Sequence, residues 1–187
     1  MPELKIGLPD WIDDVVDWDR TYADVADRVG LAILLARENV LRDGAGPFGA
    51  AVFETETGRL VAVGVNRVLP ERNSVLHAEV TALMFAHRRT GAYTLGGAGM
   101  PPHDLATSCD PCAMCLGATL WSGVRRLLAG ADREDAMAVG FDEGPVFPES
   151  FAYLTRRGIE VVRGIRRAEA RAVLERYVER GGRIYNA

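Results

Sequence analysis

The sequence has no hydrophobic run long enough to cross a lipid bilayer. Its longest purely apolar stretches, such as residues 31–36, are far shorter than the roughly 20 residues that a membrane helix needs. The N-terminal residues Met-Pro-Glu-Leu-Lys contain no apolar signal region, and several aspartates follow between Asp13 and Asp19. We therefore expect neither a membrane partner nor a secretory signal.

Cysteine is scarce, and the cysteines lie close together at Cys109, Cys112 and Cys115. So few cysteines at this spacing cannot build the disulfide framework of an extracellular domain. Clustered thiols are instead typical of metal binding in a reducing compartment. The sequence therefore predicts a cytoplasmic protein.

Excess positive charge is also lacking, because the net charge at pH 7 is −4. The chain thus has no overall attraction to nucleic acid, and we do not expect a nucleic-acid partner. Many arginines do lie near the C-terminal end: Arg163, Arg166, Arg167, Arg171, Arg176, Arg180 and Arg183. Glutamates alternate with them, which predicts a solvated helix with ion pairs rather than a binding surface.

The length of 187 residues fits one domain with a full hydrophobic core. Residues 1–20 are rich in aspartate and form a predicted N-terminal extension, which Trp11 and Trp18 are expected to pin to the core. A single domain is predicted over residues 21–187. Its first element is a predicted helix that begins with Thr21 as the N-cap and runs to about Arg42.

Short apolar segments alternate with helical ones along the rest of the chain. Strands are predicted at 50–53, 60–65, 105–107, 124–129 and 159–162. Helices are predicted at 77–89, 112–122 and 167–180, the last with Ala170, Val173, Leu174 and Tyr177 facing the core. This order predicts an α/β domain in which helices cover a mixed sheet.

Two short motifs, His77-Ala78-Glu79 and Pro111-Cys112-Ala113-Met114-Cys115, carry the residues best suited to metal chemistry. Two cysteines separated by two residues can reach one ion from the first turn of a helix, and His77 can supply a third ligand. A catalytic zinc site has three protein ligands and one open position for water. Glu79 is predicted to take the proton of that water and deliver it to the substrate. We therefore predict zinc as the cofactor and Glu79 as the catalytic residue.

Other interpretations of these motifs remain. Cys109 is a candidate fourth ligand, which would make the zinc site structural and the domain a non-catalytic zinc module. A redox-active C-x-x-C pair is another possibility, but it would leave His77 and Glu79 without a role. We interpret His87 and His103 as surface or packing residues.

The pattern H-x-E followed by P-C-x-x-C is similar to that of zinc nucleobase deaminases. With it the sequence resembles the cytidine deaminase-like superfamily, and within it the bacterial guanine deaminases and related purine deaminases. Further similar segments lie at 46–50, 64–66, 107–118 and 140–142, so the resemblance spans about residues 21–145. The chain departs from the family pattern at Asp110 and Ala113, where Glu and Pro are more usual, and in segments 91–102 and 144–157.

The resemblance implies a three-layer fold with a central mixed five-stranded sheet flanked by helices, assembled as a homodimer. It implies a zinc-dependent aminohydrolase that releases ammonia from a small-molecule base, guanine or a related purine. A nucleoside, cytosine or an aminated triazine is the alternative substrate. A tRNA adenosine deaminase would be expected to carry a basic surface for phosphates. The net charge of −4 does not favour such a surface, so this activity is the less favoured alternative.

The resemblance also implies the residues that bind the substrate. Asn66 would hydrogen-bond the base, Phe48 would line the pocket, and the backbone amide of Ala78 would hold a carbonyl or a ring edge. Asp142 would contact the far edge of a purine, including a 2-amino group. Tyr185 would close the site from the C-terminal segment.

The C-terminal segment has two interpretations. It begins with the glycine pair Gly181-Gly182 and ends with Ile184 and Tyr185. These two side chains either patch the core or cover the active site as a lid, in their own subunit or in the partner's.

Overall fold

A computed structural model describes residues 4–186, in which the short apolar segments form one mixed sheet of five strands. The strands are β1 (Gly49–Glu54), β2 (Leu60–Val65), β3 (His103–Cys109), β4 (Arg126–Ala131) and β5 (Glu160–Val162). Their order across the sheet is β2-β1-β3-β4-β5. Strand β1 is antiparallel to β2 and β3, and β4 is parallel to β3 and β5. The predicted mixed five-stranded sheet is confirmed.

Helices cover both faces of this sheet, so that β1 to β4 are almost completely buried. The helices are α1 (Ile12–Val15), α2 (Val25–Asp43), α3 (Val68–Glu71), α4 (Ala78–Thr90), α5 (Ala113–Ser122), α6 (Arg133–Ala138), α7 (Pro148–Arg156) and α8 (Arg167–Glu179). Successive strand residues point to opposite faces. Ala51 and Phe53 therefore pack with α2 and α8, whereas Ala50 and Val52 pack with α4. Within residues 4–186 no helix is long and apolar enough to cross a membrane.

The start of α2 corrects one prediction. Asp24, not Thr21, is the N-cap, because its carboxylate accepts a hydrogen bond from the amide of Ala26 at 2.8 Å. Thr21 instead forms an isolated β-bridge with Arg59. A cap must accept from an amide two or three positions ahead, and that requirement selects the acid next to the helix. The helix ends at Asp43, where Gly44 has a φ of 60°.

The N-terminal extension packs on the same core as the rest of the chain. Trp11 is buried, and its indole Nε1 donates to the carboxylate of Asp43 at 3.2 Å. Trp18 is half-buried and packs against the same core cluster. Residues 1–3 and 187, which belong to the predicted segments 1–20 and 21–187, lie outside the described residues.

The C-terminal half contains helices that the sequence analysis did not predict, α6 and α7. Helix α6 begins with a capping box, in which Asp132 and Asp135 each accept from the other's backbone amide. Helix α7 has Pro148 in its first turn. The prediction for α8 is confirmed, since its four predicted core residues are buried. Two of its exposed arginines form ion pairs within the chain, Arg167 with Asp132 and Asp135 and Arg171 with Glu175 at 2.8 Å.

A buried charge cluster joins α2 to the start of β3 and β4. Asp104 is fully buried and accepts from the guanidinium of Arg28, from Arg126 at 2.6 Å and from the hydroxyl of Thr55 at 2.7 Å. Arg28 is 2% exposed and also donates to the carbonyl of Tyr22 at 2.8 Å. Every charge in this cluster thus has a partner, which a charge inside a protein requires.

The strand directions decide where a site can form. Only β1 runs opposite to the other strands, so the carboxyl ends of β2, β3, β4 and β5 and the start of β1 lie at one edge of the sheet. We call this the site edge. The segments that lead into α4, α5 and α6 all leave from it. Ligands commonly bind at this edge of α/β sheets.

Candidate active site

Two helices begin close together at the site edge and bring the predicted metal ligands into one group. His77 is the residue before α4, Cys112 is the residue before α5, and Cys115 lies in the first turn of α5. The Nδ1 atom of His77 is 3.4 Å from the Sγ atom of Cys112 and 3.6 Å from that of Cys115. The two cysteines follow His77 by 35 and 38 positions in the sequence, and the fold brings all three side chains to one point.

This donor set fits zinc. An imidazole nitrogen and two thiolates are ligands that zinc prefers, and the ligand atoms all lie within 4.8 Å of one another. The hydrogen bond from Cys115, together with the imidazole of His77, lowers the pKa of Cys112 to about 4. A thiolate, the form that binds a metal, is thus favoured at neutral pH.

Cys109 lies apart from this group. Its thiol donates to the backbone carbonyl of Asp132 at 3.6 Å, and burial raises its pKa well above the usual range. Cys109 is therefore a neutral, buried thiol, and the ligand group contains three residues, His77, Cys112 and Cys115. Three ligands leave one position for water, as catalytic zinc sites require.

Glu79 lines the same small cavity as His77 and Cys112. Burial is the main cause that raises the pKa of the Glu79 carboxyl group, and the negative charge of Cys112 is the second. Together they bring this pKa to about 7. A carboxyl group with such a pKa can both accept and release a proton near neutral pH. The position and the chemistry of Glu79 therefore suit proton transfer.

Sequence reasoning missed a second carboxyl group in the cavity, that of Glu143. Glu143 is buried, and this burial, with the negative charges of Cys112 and Glu79, raises its pKa to about 8. Asp142, which the resemblance indicated, is exposed, and its carboxylate accepts from the amide of Gly144 at 2.8 Å. Adjacent side chains of extended backbone point in opposite directions. The sequence signal that could have indicated Glu143 is therefore the adjacent pair Asp142-Glu143, of which only one side chain can face the cavity.

Phe48 and Asn66 occupy the segments at the start of β1 and the end of β2. Phe48 lines the cavity, and its ring meets that of Phe141 edge to face at 5.0 Å. Asn66 is fully buried, and its Oδ1 accepts from the amide of Val68 at 3.2 Å. Its Nδ2 has no hydrogen-bond partner among the described residues, which leaves a buried donor for another molecule.

Ala78 and Tyr185 complete the predicted set. Ala78 is the first residue of α4, so its amide has no acceptor within the helix. The hydroxyl of Tyr185 is buried and without a partner in the described part of the chain. It lies over Gly46, where a Cβ atom would come within 2.2 Å of it and within 2.8 Å of Oδ1 of Asn66. Tyr185 and Asn66 therefore meet at a point where only glycine fits.

The C-terminal segment packs Ile184 and Tyr185 against the core and also lines the cavity of its own chain with Asn186. Asn186 lines the cavity, accepts from the amide of Asp142 at 2.9 Å, and donates from its side chain to the carbonyl of Asp142 at 2.8 Å. The ring of Tyr185 lies 5.2 Å from that of Phe141. The cavity beneath has a volume of only ≈ 10 Å³, about enough for one water molecule.

Comparison with known proteins identifies the family. Residues 26–131 match the family model of the cytidine and deoxycytidylate deaminase zinc-binding region. The chain belongs to this family. This deaminase is accordingly a zinc-dependent aminohydrolase, and its His77, Cys112 and Cys115 are the group positioned to bind the metal.

The deaminase is similar to several guanine deaminases. That of Bacillus subtilis (strain 168) is 38% identical over 118 residues, which are 63% of this chain and 71% of the relative. The structure of a guanine deaminase from Nitrosomonas europaea is 42% identical, with a TM-score of 0.89 over 94% of this chain and 96% of the other. A structure of the protein NE0047 in complex with 2,6-diaminopurine is 43% identical, with a TM-score of 0.91 over 97% and 96% of the two chains.

The ligand group predicts how two cysteine variants differ. Replacing Cys112 by Ser should abolish tight zinc binding, because a hydroxyl is a poor ligand in place of a thiolate. Cys109→Ser is the matched control, since it makes the same change at another buried position. Elemental analysis of purified protein should give about one zinc per chain for the wild type and for Cys109→Ser. Loss of zinc from a folded Cys109→Ser protein would instead support the four-ligand structural site.

Proposed function

We propose that this deaminase hydrolyses guanine, or a closely related free aminopurine, and releases ammonia. The observation that carries the proposal is that two buried carboxyl groups, Glu79 and Glu143, line one small cavity beside the ligand group, whereas Asp110, the third acid of this lining, is paired with Arg163. A purine presents ring nitrogens and an amino group along its edges, so two acid–base groups can serve it at once. The likeness to guanine deaminases over almost the whole chain supports the same substrate class.

The reaction joins the oxygen of water to the ring carbon that carries the amino group, and the carbon–nitrogen bond then breaks. His77, Cys112 and Cys115 would hold the zinc ion, which would supply a Lewis acid able to make water nucleophilic near neutral pH. We assign Glu79 two successive proton transfers: the first proton of the water goes to a ring nitrogen as the oxygen adds, and the second goes from the resulting hydroxyl to the amine, which leaves as ammonia. Its buried carboxyl group, with a pKa of about 7, is suited to both steps.

Other residues of the cavity would bind and orient the ring. The free Nδ2 donor of Asn66 and the free amide of Ala78 suit acceptor atoms of the base, and the ring of Phe48 suits its face. We assign to Glu143 the contact with the far edge of the purine that was expected of Asp142. The burial of Glu143 and the exposure of Asp142 support this assignment.

The cover formed by the C-terminal segment favours a free base over a nucleoside or a tRNA. A sugar attached to the ring would need additional space where Asn186 lines the cavity and Tyr185 lies over Gly46. We also propose a cytoplasmic location, which the absence of a disulfide among Cys109, Cys112 and Cys115 supports.

Ammonia release across a panel of bases tests the proposed function. Guanine should be a better substrate, by kcat/KM, than guanosine, cytosine, cytidine or an aminated triazine. Glu79→Gln should lower kcat by about 10²- to 10⁴-fold while zinc stays bound, because the amide cannot transfer the proton. Glu56→Gln, at an exposed position in the turn after β1, is the matched control and should behave as the wild type. A panel in which cytidine is the best substrate would refute the purine assignment.

We propose that the C-terminal segment is a lid that opens to admit the substrate and then excludes water. Tyr185→Phe keeps the ring against Phe141 and removes only the buried hydroxyl. Deleting residues 183–187 should raise KM or lower kcat severalfold or more with zinc content unchanged, and the loss of Ile184 and Tyr185 from the core should also lower Tm. Tyr185→Phe should show a smaller shift in the same direction. A lower Tm with unchanged kinetics would support the core-patch interpretation instead.

The homodimer also remains a proposal, and one surface suits it. Helices α4, α5 and α7 cover the same face of the sheet, and together with Phe147, the residue before α7, they expose large apolar side chains. These are Met84 (38% exposed), Met114 (36%), Trp121 (75%), Phe147 (58%) and Tyr153 (44%). We call this surface the apolar face. Such a surface is unusual on a protein that stays monomeric.

A second copy of this chain is the occupant that fits the apolar face. Helix α5, at its centre, has no charged side chain, so two copies related by a two-fold axis meet there without like-charge repulsion. Gly117, between Met114 and Trp121 on this helix, has nothing within 4 Å of the position of a Cβ atom. Glycine inside a helix is unfavourable unless close approach of a neighbour compensates.

Trp121→Glu tests this surface, because it places like charges opposite each other across the two-fold axis. Light scattering after size exclusion should give a dimer for the wild type and a monomer for Trp121→Glu. Val178→Glu is the control, since Val178 is 42% exposed on α8, on the opposite face of the sheet. A monomeric wild type, or a dimeric Trp121→Glu, would contradict the proposal.

A further inference from the structure

A buried carboxylate precedes the metal-binding loop and is held from outside the site. Asp110 lies two residues before Cys112 and is 3% exposed. The Nε atom of Arg163 donates to both oxygens of this carboxylate, at 2.8 and 3.0 Å, and its Nη2 donates as well. Arg163 directly follows β5, at the far side of the sheet from β2. The ion pair therefore connects the loop of Cys112 to a distant strand.

The same carboxylate is connected to the segment that carries Glu143. The backbone amide of Arg133, the first residue of α6, donates to Asp110 at 3.1 Å. The guanidinium of Arg133 in turn donates to the carbonyl of Gly144 at 3.3 Å. The carbonyl of Glu143 accepts from the amide of Ala113 at 3.0 Å, next to Cys112. Asp110 is thus linked through Arg133 to the segment of Glu143, which itself contacts the cysteine loop at Ala113.

The orientation of Arg163 is fixed by a second contact. Its guanidinium carbon lies 4.4 Å from the centre of the Phe151 ring on α7. Stacking on a ring together with a forked hydrogen bond to a carboxylate determines both the position and the plane of a guanidinium. Lysine cannot reproduce this arrangement, since its ammonium is a point charge on a flexible chain.

We infer that Arg163 is a positioning residue of the active site, which acts through Asp110 to hold the loop of Cys112 and the segment of Glu143 in their working geometry. The role in catalysis rests on the proposed function, whereas the role in metal retention rests on the ligand group alone. Residues that orient metal ligands typically change metal affinity by about 10- to 100-fold when they are removed.

A purely structural ion pair would behave differently, and the chain offers one for comparison. Arg167, at the start of α8, pairs with Asp132 and Asp135, each at 2.7 Å. Its side chain is 48% exposed, close to the 39% of Arg163. Both Asp partners of Arg167 lie outside the lining of the cavity. Arg167→Met is therefore the matched control for Arg163→Met.

The test follows the release of zinc from holoenzyme to a chelating dye, which needs no substrate. Arg163→Met should release zinc about 10- to 100-fold faster than the wild type, and Arg167→Met should release it at the wild-type rate. The visible absorption of the cobalt-substituted protein should change in Arg163→Met and not in Arg167→Met, because the thiolate geometry changes. Equal release rates and spectra in both variants would overturn the inference, whatever the substrate proves to be.

Two further variants separate positioning from stability. Asp110→Asn combined with Arg163→Met removes the unpaired buried charge, so Tm should recover while zinc release stays fast. Recovery of both would indicate a structural role alone and would overturn the inference. Arg163→Lys keeps the charge and the fold, and its zinc release should lie between those of the wild type and Arg163→Met. In each variant guanine turnover should show a loss in kcat that exceeds any change in KM.

Discussion

The meeting of two helix N-termini at one edge of the sheet is the constraint on which the active site depends. A histidine before α4 and two cysteines at the start of α5 share one point only because β2 and β3 run in the same direction, on either side of β1. Helix N-termini also carry partial positive charge, which favours the thiolates there. The placement of the two helix starts at one edge of the sheet thus both brings the three ligands together and favours the thiolate form of the cysteines.

Much of the site could be predicted from short-range patterns, because spacing along a helix start is a local property. The ligands His77, Cys112 and Cys115 and the strands around them follow from such patterns. Glu143 could not be predicted in this way, since the choice between two adjacent acids is made by the path of the chain after α6. The start of α2 at Asp24 likewise depends on the bridge that holds Thr21 to a distant strand.

Burial, more than residue type, gives the cavity its acid–base character. Glu79 and Glu143 carry ordinary side chains, and their pKa values of about 7 and 8 arise from removal of water and from nearby negative charge. Asn186, from the C-terminal segment, lines the same cavity and contributes to its wall.

The charge cluster of Arg28, Asp104 and Arg126 has a consequence for how such a protein can change over evolution. Loss of one partner leaves an unpaired buried charge, which costs about 3–5 kcal/mol, whereas joint replacement by apolar residues is often neutral. Single-step replacement at Asp104 is therefore strongly disfavoured, although the cluster lies at the opposite end of the strands from the active site. Homologues should accordingly keep all members of the cluster or exchange them together, so that these positions co-vary even where the substrate has changed.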